Sequence, residues 1–151
     1  MRYLIGLGNY LAGDDGVGVH VVEYVVAHGL DRGFTAVDLA TNALDMVAYL
    51  EPETEAVLAV DAAYLGLAPG EFRIFSPDEA ETQKELAGFS THEGDPLKVV
   101  ELARAMGCTV PAFAFMGIEP GRVAHGTELS ERVRERLPEY VAAAIGRLAA
   151  L

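Results

Sequence analysis

The sequence predicts an α/β protein, a three-layer α/β/α sandwich around a mixed, mostly parallel sheet of about five strands. Apolar runs of strand length alternate with segments whose apolar residues recur at helical spacing, as expected where a sheet is buried on both faces. Glycine-rich or polar turns separate the runs, and none approaches the roughly 20 apolar residues of a membrane span. With 151 residues, of which 51% are hydrophobic, the chain can bury one substantial core as a single domain spanning 1–151.

The elements follow in order. "RYLIGLG" (2–8) reads as the first strand. Behind an acidic turn, Val17, Val21, Val22 and Val25 fall on one helical face, and Gly29 supplies a stop. "FTAVDLA" (34–40) is the second strand and "ALDMVAYL" (43–50) a short helix. "EAVLAVDAA" (55–63) is a continuous apolar run ending near Asp61, the pattern of a central strand. "EFRIFS" (71–76) alternates like an edge strand, and 77–92 is polar enough to read as a long loop. "PLKVVELARAMG" (96–107) forms a helix with a glycine stop, "VPAFAFMGIEP" (110–120) the last strand, and the remainder a C-terminal helix bent near Pro138.

Charge and cysteine usage narrow the functional classes. The chain carries 23 acidic against 11 basic side chains, a net charge of −12, with no Lys/Arg cluster to neutralise phosphates, so nucleic acid is not an expected partner. A cation or a basic protein segment fits better, and the same charge also serves solubility. The N-terminus lacks the features of a signal peptide. One cysteine, Cys108, rules out an internal disulfide and suits a reducing compartment; a cytoplasmic protein without membrane insertion is expected.

Ligands of open parallel sheets bind at the carboxyl ends of the strands. Here those exits are 9–15, 38–42, 61–66 and 117–122. The first contains "GLGNYLAGDDGVG", a glycine-rich turn closed by Asp14 and Asp15. A dinucleotide site would need a third glycine at position 11, where Leu stands, and would meet two carboxylates at the helix start; Asp38 keeps the nucleotide-binding alternative open as a ribose acid. A metal-dependent receiver-like signalling domain is a second alternative, because an acidic pair after strand one and an aspartate after strand three can hold magnesium. It would also need a lysine after the last strand, and this chain has "GIEP" there.

Asp14 reads as a helix cap or first-turn charge, with the ~0.5–2 kcal/mol typical of a cap. That leaves Asp15 to face the carboxyl end of the sheet. Asp15, Asp61 and His92 would together offer carboxylate oxygens and an imidazole nitrogen with positions left open, a set suited to nickel, zinc or iron rather than magnesium. His20 and His28 read as surface residues of the first helix, His125 as a loop residue, and Cys108 as a packed thiol at the opposite edge of the sheet. No serine-hydrolase elbow or zincin motif is present.

"GLGNYLAGDDGVGVHVVE", "AVDAAYLGLAPGEF", "STHEGDPL" and "FMGIEP", in this order, resemble the hydrogenase maturation endopeptidases. The resemblance implies an endopeptidase that removes the C-terminal peptide from the nickel-loaded large-subunit precursor of a nickel-iron hydrogenase. It implies Asp15, Asp61 and His92 as both metal-binding and catalytic residues, with nickel carried in by the precursor. It also places Asp38 and Thr41 in the cleft for the substrate segment. Where the family commonly has paired glycines after strand two, this chain has "VDLATNALD", which suggests a different backbone path. Where relatives carry glutamate at the first metal position, it has Asp15.

Overall fold

A computed structural model of the chain describes residues 1–79, 90–91 and 96–151. Strand β1 (Arg2–Leu7) leads through a 3₁₀ turn (Gly13–Gly16) into helix α1 (Val17–Ala27). Then come β2 (Thr35–Ala40), a 3₁₀ segment (Ala43–Tyr49), β3 (Ala56–Tyr64), β4 (Phe72–Phe75) and β5 (Ser90–Thr91). Helix α2 (Pro96–Ala105), β6 (Ala112–Ile118), α3 (Glu131–Glu135) and α4 (Leu137–Ala150) complete the described chain.

The main sheet runs β2-β1-β3-β6-β4, with β5 beside β3. β2, β1, β3 and β6 are parallel, whereas β4 runs antiparallel to β6 and β5 antiparallel to β3. This is the mixed, mostly parallel sheet the sequence predicts. An antiparallel β4 at the edge also sets it apart from the all-parallel sheet of a receiver-type doubly wound fold.

Alternation along the strands divides the side chains between two cores. Leu4, Leu58, Val60 and Met116 pack with Val17 and Val21 of α1 and Tyr140 and Ala144 of α4. Ile5, Val57, Ala59 and Phe115 pack on the other face with Met46 of the 3₁₀ segment and Leu97 and Val100 of α2. β3 is therefore buried on both faces, and its sequence reads as an unbroken apolar run for that reason. Each fully buried large aliphatic side chain contributes roughly 1.5–3 kcal/mol.

Close backbone packing sets the height of α1 above the sheet. A Cβ on Gly6 would lie 2.4 Å from the Gly18 carbonyl oxygen, and one on Gly18 would lie 2.2 Å from that of Val60. Glycine at both positions lets α1 rest directly on β1 and β3. The turn that precedes α1 is thereby pressed onto the strand ends.

Several local expectations need correction. The C-terminal helix is divided rather than bent: α3 ends at Glu135 and α4 begins at Leu137, with Arg136 as the cap residue between them, and Pro138 lies in the first turn of α4, where its missing N–H costs little. The segment read as a continuous loop over 77–92 contains β5, whose Ser90 and Thr91 pair with Tyr64 and Ala63. Residues 80–89 and 92–95 lie outside the described residues. Cys108 is partly buried against the core on the α2 face, as expected.

The end of β2, where the glycines are missing, has an unusual backbone. Ala40 takes φ 50, the left-handed region that glycine favours, and its N–H donates to Asp38 Oδ1 at 2.8 Å. The β1–β2 register shifts at this point, so that Leu7 pairs with Ala40. An alanine thus holds a turn suited to glycine, at a cost of roughly 1–2 kcal/mol. Ala40→Gly is expected to raise unfolding stability by about 0.5–1 kcal/mol, read from the urea midpoint at unchanged slope.

Candidate active site

The described residues with buried polar side chains are Asp14, Asp15, Thr54, Asp61 and Glu119. All except Thr54 are carboxylates, and all four carboxylates lie at the carboxyl ends of β1, β3 and β6. Isolated buried carboxylates are costly, so each must be explained by what faces it.

Asp15 and Asp61, each 2% exposed, flank Gly8. A Cβ on Gly8 would lie 2.0 Å from the Asp15 carbonyl oxygen and 3.4 Å from Asp61 Oδ1. Gly8 also has φ 132, a conformation that side-chain-bearing residues avoid, and its N–H donates to the Ala40 carbonyl at 2.8 Å. The glycine-rich turn therefore brings the chain close over the strand ends, with Asp61 directly beside it.

Asp15 Oδ2 accepts from the Asn9 N–H at 3.1 Å. Its Oδ1 is buried and has no hydrogen-bond partner among the described residues. Asn9 is itself fixed, its side-chain oxygen accepting from the Leu11 N–H at 3.0 Å. One oxygen of Asp15 is thus anchored and the other left without a partner, with a second buried carboxylate at Gly8, which suits a cation and opposes a phosphate. The nucleotide-binding alternative loses its footing at this turn.

Of the two expected roles, cap or first-turn charge, Asp14 takes the second: it lies in the first turn of the 3₁₀ segment and caps neither helix. Ala12 and Gly16 stand at the cap positions, without side-chain cap bonds. The Asp14 carboxylate is fully buried and reaches instead into the loop after β6. Oδ2 accepts from the N–H groups of Gly121 and Arg122, both at 2.8 Å, and from the Ser130 hydroxyl at 2.6 Å. Oδ1 accepts from the Ser130 N–H at 2.7 Å. The Asp14 N–H returns to the Arg122 carbonyl at 2.9 Å, and the Gly13 N–H to that of Gly126 at 2.9 Å. Asp14 therefore stitches the acidic turn to the 121–130 loop.

Glu119, 7% exposed, plays the corresponding part after β3, its Oε1 accepting from the N–H groups of Leu65 at 2.7 Å and Leu67 at 3.1 Å. Sequence reasoning quoted "GIEP" without giving Glu119 a role. The available signal was a carboxylate at the end of an otherwise apolar strand, where a charge needs a dedicated partner.

Tyr64, 40% exposed, lies in the electrostatic field of this cluster. Partial burial raises its phenol above the ordinary value, and the Asp15 and Glu119 carboxylates raise it further.

The remaining expected residues are spread out. His92 lies outside the described residues, but Thr91, immediately before it, pairs with Ala63 on the strand that carries Asp61. Among the described residues no group of three His, Cys, Asp or Glu side chains surrounds one metal position. His20 is partly buried, with Nε2 bonded to the Thr127 carbonyl at 3.0 Å and its ring stacked on Tyr10 at 4.8 Å. His28 and His125 are exposed. Asp38 is occupied by its own turn. Thr41 borders a groove of about 460 Å³ lined also by Asn42, Leu44, Lys98 and Leu102.

Fold and site together define an α/β protein with two buried carboxylates, Asp15 and Asp61, on the carboxyl edge of its sheet. The family model described as HycI, hydrogenase maturation protease, matches residues 19–147, and the chain belongs to that family. That match begins after Asp15 and includes Asp61 and His92. The hydrogenase expression/formation protein HupM of Azotobacter chroococcum is 28% identical over 148 residues, covering 97% of this chain and 70% of the relative. The hydrogenase 3 maturation protease of Escherichia coli is 29% identical over 134 residues, covering 87% and 81%. Among solved structures, the nickel-iron hydrogenase maturation protease HybD from Thermococcus kodakarensis superposes with a TM-score of 0.81 at 22% identity, covering 97% of this chain and 98% of that one, which supports the fold. Among the described residues no helix is long and apolar enough to cross a membrane.

Two expected outcomes follow from the carboxylate contacts. Asp14→Ala would leave the Gly121, Arg122 and Ser130 donors without their acceptor and should cost about 3 kcal/mol or more in urea unfolding, with Asp14→Asn losing roughly half as much. Asp15→Asn removes a negative charge that disfavours the phenolate. The Tyr64 pKa should therefore fall while staying above its ordinary value because burial remains, as read by ultraviolet absorbance against pH in difference with Tyr64→Phe.

Proposed function

We propose that this protease removes the C-terminal peptide from the nickel-loaded large-subunit precursor of a nickel-iron hydrogenase, in the cytoplasm, with the metal delivered by the substrate. The observation that carries this reading is the buried Asp15 Oδ1, without a hydrogen-bond partner among the described residues, on a residue whose backbone borders Gly8, as the Asp61 carboxylate does. Hydrogen bonding elsewhere in the cluster shows how this fold satisfies a carboxylate that needs only to be buried. Asp15 is built differently.

In this reading Asp15, Asp61 and His92 complete the coordination of the precursor's nickel. Two carboxylates and an imidazole suit a borderline divalent ion that also brings ligands from the substrate. The pairing of Thr91 with Ala63 supports His92 as the third donor. Nickel in that position supplies a Lewis acid for the scissile carbonyl. The chain's own contributions are to keep the two carboxylates in place and to limit water around them: Asn9 anchors one oxygen of Asp15, and the glycine turn covers Asp61. The groove beside Thr41 begins just past Ala40, whose carbonyl is bonded to Gly8, and we assign it to the substrate segment next to the scissile bond.

Mass spectrometry of the precursor with and without nickel, after incubation with this protein, tests the reading. Loss of a short C-terminal peptide from the nickel-loaded form alone is expected. Cleavage of both forms would overturn recognition through nickel, and cleavage of neither would remove the assignment to that precursor. Asp15→Asn, Asp61→Asn and His92→Ala are each expected to slow cleavage by about a hundredfold or more, with the far-ultraviolet circular dichroism unchanged.

A further inference from the structure

We infer that Glu119 is a positioning residue for precursor cleavage, holding the exit of β3, and with it Asp61, at the height of the acidic turn. This inference rests on the proposed role of Asp61. The ladder between β3 and β6 pairs Asp61 with Gly117 and ends where Ala62 meets Ile118. Immediately beyond, the Glu119 side chain takes over, as Oε1 accepts from both Leu65 and Leu67. The Glu119 backbone holds the far end of the same segment: its N–H donates to the Glu71 carbonyl, and its carbonyl accepts from the Gly70 N–H, each at 2.8 Å. One residue thus grips both ends of the 65–71 loop that leaves the strand carrying Asp61.

The grip continues toward the other acid. The chain after Glu119 runs into Gly121 and Arg122, whose N–H groups are held by Asp14, the residue next to Asp15. The segment 119–122 therefore spans the exit of β3 and the turn after β1, which ties the placement of Asp61 to that of Asp15. Glu119 is a tether rather than a ligand: its Oε1 is already shared by two backbone donors.

Amide hydrogen exchange and steady-state cleavage of the nickel-loaded precursor, measured on the wild-type protein and on Glu119→Ala and Glu119→Gln, test the inference. Glu119→Ala should raise exchange at Leu65 and Leu67 by at least about tenfold and leave the amides of β1 unchanged. Its kcat should fall by about tenfold or more with KM within about threefold, whereas Glu119→Gln, which keeps an oxygen at the same reach, should stay within about threefold of wild type in both measurements. If Glu119→Ala does not fold, Glu119→Asp, which withdraws the oxygen by one methylene, should show the same split. Unchanged exchange in the folded Ala or Asp variant overturns the inference, as does raised exchange with wild-type kcat, or Gln being as impaired as Ala. If the wild-type protein leaves the precursor intact, the cleavage reading fails, and raised or unchanged exchange then decides the tether separately.

Discussion

Buried negative charge is the constraint on which the rest of this structure depends. Asp14, Asp15, Asp61 and Glu119 are all withdrawn from water at one edge of the sheet, in a chain that already carries a net charge of −12. The effective cost of removing an ion from water is several kcal/mol, recovered only if donors or opposite charge face it. No arginine or lysine forms an ion pair with Asp14, Asp15 or Glu119 among the described residues. For Asp14 and Glu119 the compensation comes from backbone N–H groups and one hydroxyl, which are fixed by the fold and do not titrate.

That solution makes the site a product of the whole topology. Backbone donors can converge on Asp14 only if the loop after β6 folds back over the turn after β1. They can converge on Glu119 only if β3 and β6 are neighbours, as the parallel ladder makes them. The turn reaches this position because Gly6 and Gly18 let α1 lie against the sheet, so apolar packing and polar compensation are solved by the same close approach. Loosening that helix would separate Asp14 from its donors before it disturbed the far core.

The parts of the fold legible in the sequence were those with a local signature. β3 was legible because burial on both faces writes a continuous apolar run, and α1 because its valines repeat at helical spacing. The C-terminal break at Arg136 was only half visible, since Pro138 marks a discontinuity without saying whether a helix bends across it or starts anew. β5 was hidden because two residues carry no period. In the site, the importance of "GDD" was legible, but the division of labour within it was not. A favoured cap residue at a helix start reads as a cap; that Asp14 instead binds residues 121, 122 and 130 depends on long-range closure, which no local pattern encodes. Glu119 was overlooked for the same reason.

The anchoring of Asp15 also bears on why aspartate rather than glutamate suits this position. An added methylene would move a carboxylate by about 1.5 Å, the length of a C–C bond. At Asp15 such a shift could not be absorbed freely: Oδ2 is tied to the Asn9 N–H, Gly8 is pressed against the residue's own carbonyl, and the whole side chain is 2% exposed. A longer acid would have to give up the Asn9 bond, or the turn would have to rise and carry Asp14 away from its loop. The shorter acid is therefore matched to a turn lying close on the sheet. Side-chain length and turn height form one variable, and the position of the open oxygen is set jointly by the two.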